Sequence, residues 1–211
     1  MDTSTAQLKE NLFDIVHDSQ RTFRKLMMAL AFPGVIQQIE PVELSIDEPV
    51  MGYILQPFLS LLDLETCYYV FALDKELQNR VVHYIEINTN STQQSLEAAD
   101  FILCLADSLD GNFKTLKKGT LAQPHKSATV FYLVDNIQET PLINGIQFSI
   151  AGPGVKGERT FSASGLAFSE VDQWQQDRTD YPIGIDIFLI SHIGQIVGIP
   201  RSVEIGLLGG N

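Results

Sequence analysis

The sequence predicts an α/β fold, in which a mixed β-sheet is covered by helices on both faces. Helical and strand patterns alternate in the first half of the chain, whereas strand patterns follow one another in the second half. The run "ADFILCLA" is continuously apolar, which is typical of a strand buried on both faces. We expect residues 1–11 to form a loose N-terminal segment and residues 12–211 to form a single α/β domain, because no linker or repeat divides them.

The clearest helix pattern is "FDIVHDSQRTFRKLMMALAFPG", which ends where Pro33 and Gly34 stop the helix. Its apolar residues recur at helical spacing and predict one buried stripe: Phe13, Val16, Phe23, Leu26, Met27 and Leu30. Arg21, Arg24 and Lys25 fall on the opposite side. They form either a solvated helix face or an interaction face, which would be unusual in a chain that is otherwise acidic.

The elements that follow are predicted in order from local patterns. After the first helix we expect a strand in "GVIQQIE", a helix in "PVMGYILQPFLSLLD" that Pro57 interrupts or kinks, a strand in "CYYVFALD", a helix in "KELQNRVVHYIEIN" and a strand in "ADFILCLA". The segment "DGNFKTLKKG" is predicted to be a short helix or turn with a basic end.

The second half is predicted to be rich in strands. Three strands are expected in "SATVFYLVDN", "INGIQFSIAG" and "ERTFSASG". A helix should begin at about Ser169, with that serine as its N-cap. The segments "IGIDIFLIS" and "QIVGIPR" should then form a hairpin-like pair of strands joined by "HIG".

Composition excludes several classes of function. The formal net charge of −12 argues against binding nucleic acid or an anionic membrane through the overall field of the protein. No uncharged apolar stretch reaches the roughly 18 residues of a membrane span, and the N-terminus does not resemble a secretory signal, so we expect a cytoplasmic protein. Cys67 and Cys104 lie in apolar strand patterns and are expected to be buried free thiols.

The stretch "AGPGVKGERTF" has the spacing of a phosphate-binding loop, because Gly152, Gly154 and Gly157 match G-x-G-x-x-G. Lys156 precedes the last glycine, however, and Glu158 stands where a phosphate loop needs a hydroxyl. A strand rather than a helix follows, contrary to the dinucleotide-binding pattern. We therefore interpret the stretch as a strand–turn–strand connection.

The sequence identifies no catalytic residue, metal site or cofactor. None of the four histidines lies at metal-ligand spacing from another: His17, His83, His125 and His192. There is no G-x-S-x-G motif, and no lysine stands out as a Schiff-base residue. The remaining candidate pair is Asp186, which interrupts an apolar strand, and Arg201, which follows the next strand. The two residues are either an internal ion pair or, through Arg201, an oxyanion ligand.

Four segments resemble the PhnH family, a subunit of the carbon–phosphorus lyase of bacterial phosphonate metabolism. They are "DSQRTFRKLMMALAFPG" (residues 18–34), "AGPGVKGERTF" (151–161), "YPIGIDIFLIS" (181–191) and "VGIPRSVEI" (197–205). The resemblance implies a fold similar to a shortened pyridoxal phosphate-dependent transferase that lacks the cofactor. It also implies a homodimer that docks with the sister subunits PhnG, PhnI and PhnJ in the core complex, which converts alkylphosphonates and ATP into a ribose 1-phosphonate 5-triphosphate.

Three hypotheses follow from the resemblance and the residues together. The chain is a non-catalytic structural or substrate-handling subunit of that enzyme complex, or an enzymatic or ligand-binding subunit that holds a phosphorylated ribose phosphonate in a cleft at the dimer interface, or a residual pyridoxal phosphate protein. The candidate ligand or interface residues are Arg21, Arg24, Lys25, Arg159, Asp186 and Arg201.

Overall fold

The computed structural model describes residues 17–42, 44 and 50–208. Its α-helices are α1 (His17–Ala31), α2 (Met51–Leu59), α3 (Lys75–Asn88) and α4 (Phe168–Asp177). Its strands are β1 (Gln37–Gln38), β2 (Cys67–Phe71), β3 (Thr92–Gln93), β4 (Phe101–Cys104), β5 (Thr129–Val134), β6 (Asn136–Gln138), β7 (Ile146–Ala151), β8 (Glu158–Ser164), β9 (Asp186–Ser191), β10 (Gln195–Ile199) and β11 (Glu204–Leu208). The expected loose segment 1–11 lies outside the described residues, as do Phe13 and Val16 of the predicted stripe.

The strands form two sheets. The larger is a mixed, seven-stranded sheet with the order β1-β10-β9-β5-β4-β2-β3, in which β2, β4, β5 and β9 run parallel. The smaller is an antiparallel, four-stranded sheet with the order β11-β7-β8-β6. The predicted mixed α/β fold is therefore confirmed, but the prediction of a single sheet is wrong, because the later strands pair separately.

The larger sheet is covered on both faces, as predicted. One face packs against α1, α2 and α3 in an apolar cluster that includes Leu26, Phe58 and Phe131. The other face packs against α4 and the smaller sheet in a second cluster, where Trp174 of α4 lies 5.0 Å from the ring of Tyr132. Within the described residues, no helix is long and apolar enough to cross a bilayer.

Local chemistry accounts for several element boundaries. The carboxylate of Asp74 accepts a hydrogen bond from the backbone N–H of Glu76 at 2.8 Å, so α3 begins with a side-chain cap. Its bounds are those of the predicted helix "KELQNRVVHYIEIN". The predicted N-cap of α4 is wrong, because Ser169 lies inside its first turn and Ala167 caps the helix without a side-chain bond. The start of α4 is set instead by a tertiary contact, in which the N–H of Ala167 bonds the backbone oxygen of Asp107 at 2.9 Å.

The chain passes from one sheet to the other within a single predicted strand. The pattern "SATVFYLVDN" is divided at Asp135, with β5 in the larger sheet before it and β6 in the smaller sheet after it. The N–H of Asp135 bonds the backbone oxygen of Ser164 at 2.9 Å and continues the pairing of β6 with β8. The final strand, β11, was not predicted; it completes the smaller sheet by pairing with β7.

Candidate functional site

The turn between β7 and β8, residues 152–157, packs against the end of α1. An atom placed at the Cβ position of Gly154 would lie 2.4 Å from the backbone oxygen of Ala31, so no larger residue fits there without displacing the helix. The guanidinium of Arg159 donates to the backbone oxygen of Pro33 at 3.1 Å. The strand–turn–strand interpretation of "AGPGVKGERTF" is confirmed, and this segment positions α1.

A second close approach seats α1 on the larger sheet. Gly198 in β10 lies directly beneath the helix, and a Cβ atom there would be 2.7 Å from the backbone of Ala29. The N–H of Gly34 bonds the backbone oxygen of Gly198 at 3.4 Å. α1 is therefore held in place by contacts at the C-terminal end of the helix.

The side of α1 that faces away from the sheet carries large apolar side chains. We call this the α1 surface: Phe23, Arg24, Met27, Met28 and Phe32. Its four apolar residues have exposed fractions of 46%, 52%, 45% and 45%, respectively. The predicted single stripe is therefore wrong in part, because Leu26 is buried with Thr22 and Ala29 while Phe23 and Met27 face outward.

The basic residues predicted on α1 differ in their surroundings. Arg21 is exposed and pairs with Asp18 one turn earlier. Lys25 is half-buried, whereas Arg24 is exposed among the apolar residues of the α1 surface. Neither Arg24 nor Lys25 forms an ion pair with any other described residue. The α1 surface therefore combines exposed apolar area with an unneutralised positive charge.

Asp186 and Arg201 contact each other where β9 begins and β10 has ended. The Arg201 guanidinium donates to both carboxylate oxygens of Asp186, and the Arg201 backbone N–H donates to Oδ1 at 2.8 Å. The remaining guanidinium nitrogen, Nη1, donates to the backbone oxygen of Pro124 at 2.6 Å. The interpretation of this pair as an internal ion pair is confirmed.

Sequence reasoning missed three charged residues beside this pair. The side chain of Asp177 is 2% exposed; it pairs with Nζ of Lys118 at 2.6 Å and accepts the N–H of Ile185 at 3.1 Å. Arg178 donates to the backbone oxygens of Ile185 and Ile199. Together with the Asp186–Arg201 pair, these residues form what we call the amino-edge network, because it lies at the amino end of β9.

The amino-edge network contains three cations and two carboxylates: Lys118, Arg178, Arg201, Asp177 and Asp186. Burial lowers the pKa of Arg178 to about 10, although Asp177 and Asp186 oppose this shift and Arg201 adds to it. Because the network joins the segment before β5, the end of α4 and the ends of β9 and β10, it closes this side of the fold. The network becomes visible only when the fold brings these elements together. In the sequence, the charge run "KTLKK" was the one available signal.

A further ion pair lies at the neighbouring amino ends of β2 and β4. Lys117 pairs with Asp100, whose carboxylate also accepts a hydrogen bond from the thiol of Cys67 at 3.1 Å. Burial alone would raise the pKa of Asp100, but the hydrogen bonds from Lys117 and Cys67 outweigh it, so that this pKa is lowered. Burial and the bond to Asp100 raise the pKa of Cys67, which favours an unreactive thiol.

One carboxylate is buried in the interior, away from these charges. Glu170 of α4 accepts a hydrogen bond from the hydroxyl of Tyr132, and both side chains are fully buried. Burial raises the pKa of Glu170, while the bond from Tyr132 opposes this shift. The contact attaches α4 to the larger sheet.

The six candidate residues do not form one site. Arg21, Arg24 and Lys25 lie on α1, and Arg159 contacts the chain just beyond the end of that helix. Asp186 and Arg201 lie in the amino-edge network and are paired with each other. In the part of the chain that the structure describes, no group of three or more His, Cys, Asp or Glu side chains is placed to hold a metal ion.

Comparison with known proteins identifies the family of the chain. No curated protein matches the chain significantly. The family model of the bacterial phosphonate metabolism protein PhnH matches residues 11–206, which include α1, both sheets and the amino-edge network. The chain belongs to the PhnH family of bacterial phosphonate metabolism proteins.

Proposed function

We propose that this chain is a non-catalytic, cytoplasmic subunit of the carbon–phosphorus lyase core complex, the ribose 1-methylphosphonate 5-triphosphate synthase of phosphonate catabolism. It acts as a homodimer and docks with the sister subunits PhnG, PhnI and PhnJ. Membership in the PhnH family supports the pathway. The observation that carries the subunit role is the α1 surface, where four large apolar side chains face solvent, three of them on α1 and the fourth, Phe32, directly after it.

The composition of the α1 surface favours a protein contact. Interface cores are enriched in aromatic residues, methionine and arginine, and these are the residue types at Phe23, Arg24 and Met27. The helix behind them is fixed by the contacts of Gly154 and Gly198, so little order would have to be gained on binding. Direct packing of two α1 surfaces would bring Arg24 of each copy together, which favours a hetero-contact with a sister subunit at this face.

Co-purification tests this role. The chain is co-expressed with PhnG, PhnI and PhnJ, an affinity tag is placed on PhnI, and the amount of this chain that is retained is measured. Met27→Glu should reduce retention about tenfold or more, because a carboxylate would be buried in the interface. The control is Ile143→Glu, which makes the same kind of change at a loop residue that is 91% exposed. Failure of the unaltered chain to co-purify, or equal retention of both variants, contradicts the proposal.

The alternative function is a ligand cleft lined by Arg24, Arg159, Asp186 and Arg201. It is less favoured because Asp186 and Arg201 neutralise each other, while Arg159 is engaged with the backbone beyond α1. Calorimetry with ribose 1-methylphosphonate 5-triphosphate tests it. The similarity to pyridoxal phosphate-dependent transferases also remains a prediction. A change in absorbance on adding pyridoxal phosphate would show that the cofactor still binds.

A further inference from the structure

A strongly basic segment lies on the surface of this acidic protein. Residues 114–126, "KTLKKGTLAQPHK", contain four of the 14 basic residues and none of the 26 acidic residues. We call this segment the basic loop. Because the rest of the chain is acidic, the basic loop is a place where an anion meets a locally favourable field.

The basic loop is folded in a fixed shape. The middle of the loop pairs with the chain that follows its end, through a bridge between Lys118 and Ser127 and a 2.6 Å bond from the N–H of Ala128 to the backbone oxygen of Lys117. At its tip, Thr120 and Gln123 exchange backbone hydrogen bonds of 3.3 and 3.0 Å. The lysines are therefore presented from an ordered backbone, which reduces the entropy lost when a ligand binds.

The cations of the basic loop divide into two groups. Lys117 and Lys118 point toward the protein and pair with Asp100 and Asp177. Lys114 and Lys126 are exposed, and no other described residue forms an ion pair with either of them. His125, which precedes Lys126, is exposed as well.

The amino-edge network supports the basic loop from beneath. Arg201 donates to the backbone oxygen of Pro124 inside the loop, and Lys118 belongs to both groups. Apart from Lys118, which belongs to the loop itself, the network has two cations and two carboxylates. It is therefore neutral and does not offset the charge of the outer lysines.

We propose that the basic loop binds the phosphate chain of a phosphorylated small molecule through Lys114 and Lys126. A protein contact is less favoured, since lysine is depleted in interface cores and Leu121 is the one large apolar residue that the loop exposes. A phosphate chain needs only clustered cations and can be bound at an open surface. The ligand class rests on the proposed role in phosphonate metabolism, whereas the location rests on the charges of the loop.

Calorimetry with inorganic tripolyphosphate and the purified chain tests this site, at a low ionic strength of ~50 mM because salt screens exposed charges. Saturable binding at one site per chain is expected. The double variant Lys114→Gln/Lys126→Gln should bind about tenfold or more weakly, since two charge-assisted contacts are lost. The matched control is Lys75→Gln, an exposed lysine in the first turn of α3, which follows the opposite, carboxyl end of β2. It should bind within about twofold of the unaltered chain.

A second readout uses the single tryptophan of the chain. The ring of Trp174 lies 6.4 Å from that of Phe113, the neighbour of Lys114, so its fluorescence provides an optical titration that can be compared with the heat. No heat with millimolar tripolyphosphate, or equal weakening in the double variant and the control, would overturn the proposal. If the unaltered chain binds no tripolyphosphate but the double variant loses co-purification, the loop is a protein contact. Met27→Glu should leave tripolyphosphate binding intact, which separates this site from the subunit role.

Discussion

The α1 surface and the amino-edge network contain similar basic residues in opposite surroundings. Arg201 is bonded to Asp186 on both carboxylate oxygens and is surrounded by backbone, whereas Arg24 stands exposed among methionines and phenylalanine. Paired, partly desolvated charges such as Arg201 are costly to separate from their partners. Exposed, unpaired charges such as Arg24 contribute little to stability. The comparison teaches that the network holds the fold together and that the α1 surface is available for other contacts.

The largest expected effect comes from removing the most buried carboxylate of the network. Asp177→Ala leaves Lys118 without its paired carboxylate and the N–H of Ile185 without its acceptor, and it removes one of the two carboxylates that raise the pKa of Arg178. We expect the free energy of unfolding to fall by about 3 kcal/mol or more, as for other broken buried pairs. Denaturant unfolding measures it.

The control for this experiment is Asp172→Ala, which alters an exposed aspartate on the same helix whose one side-chain partner among the described residues is Gln176. Its free energy of unfolding should stay within about 0.5 kcal/mol of the unaltered chain. Equal effects of the two substitutions would mean that the network does not stabilise the fold, and the comparison above would fail.

The next largest effect is expected at Gly154, in the turn that packs against the end of α1. Gly154→Ala places a Cβ atom against the backbone oxygen of Ala31 at a positive φ of 83°, so the turn or the helix must shift. We expect a loss of about 2 kcal/mol in the free energy of unfolding. Gly157→Ala is the matched control, because its φ is 75° but no atom lies within 4 Å of the added carbon. A cost for Gly154→Ala no greater than for Gly157→Ala would show that the turn does not support α1.

A smaller, pH-dependent effect is expected at Asp100. Its folded pKa lies below the ordinary value of 3.8, so its stabilising contribution is present above that pH and is lost as the pH falls through the folded pKa. Asp100→Asn should therefore cost about 1 kcal/mol or less near pH 7, since the pair is partly exposed, and progressively less in acid. Unfolding measured from pH 2 to 7 tests this expectation. A cost that grows in acid would contradict it.

The smallest effect on stability is expected at the α1 surface itself. Arg24→Ala should change the free energy of unfolding by no more than about 0.5 kcal/mol, because Arg24 is exposed and has no ion-pair partner among the described residues. The same substitution should nevertheless weaken co-purification with the sister subunits. A large loss of stability would instead show that Arg24 acts within the fold.

Local patterns predicted the elements better than their arrangement. The bounds of α3 and the β9–β10 hairpin follow from periodicity, capping and turn residues, which act over a few positions. The second sheet could not be predicted, because a strand pattern does not say which strand it pairs with. The break at Asp135 lies inside what reads as one strand.

The same limit applies to the candidate site. Apolar residues on α1 were visible in the sequence, but Phe23 and Met27 look the same as Leu26 until the position of the sheet is known. Asp186 was noticed because it interrupts an apolar strand. Asp177 and Arg178 belong to an ordinary polar helix end, and their partners are distant in the chain.

The seating of α1 by Gly154 and Gly198 has a consequence for biosynthesis. The helix leaves the ribosome well before the turn and the strand that hold it. Until then, the side that will be buried and the side that stays exposed are equally accessible to water and to other proteins. α1 therefore docks late in folding, and a chaperone that recognises apolar helices can meet it before the elements that hold it have emerged.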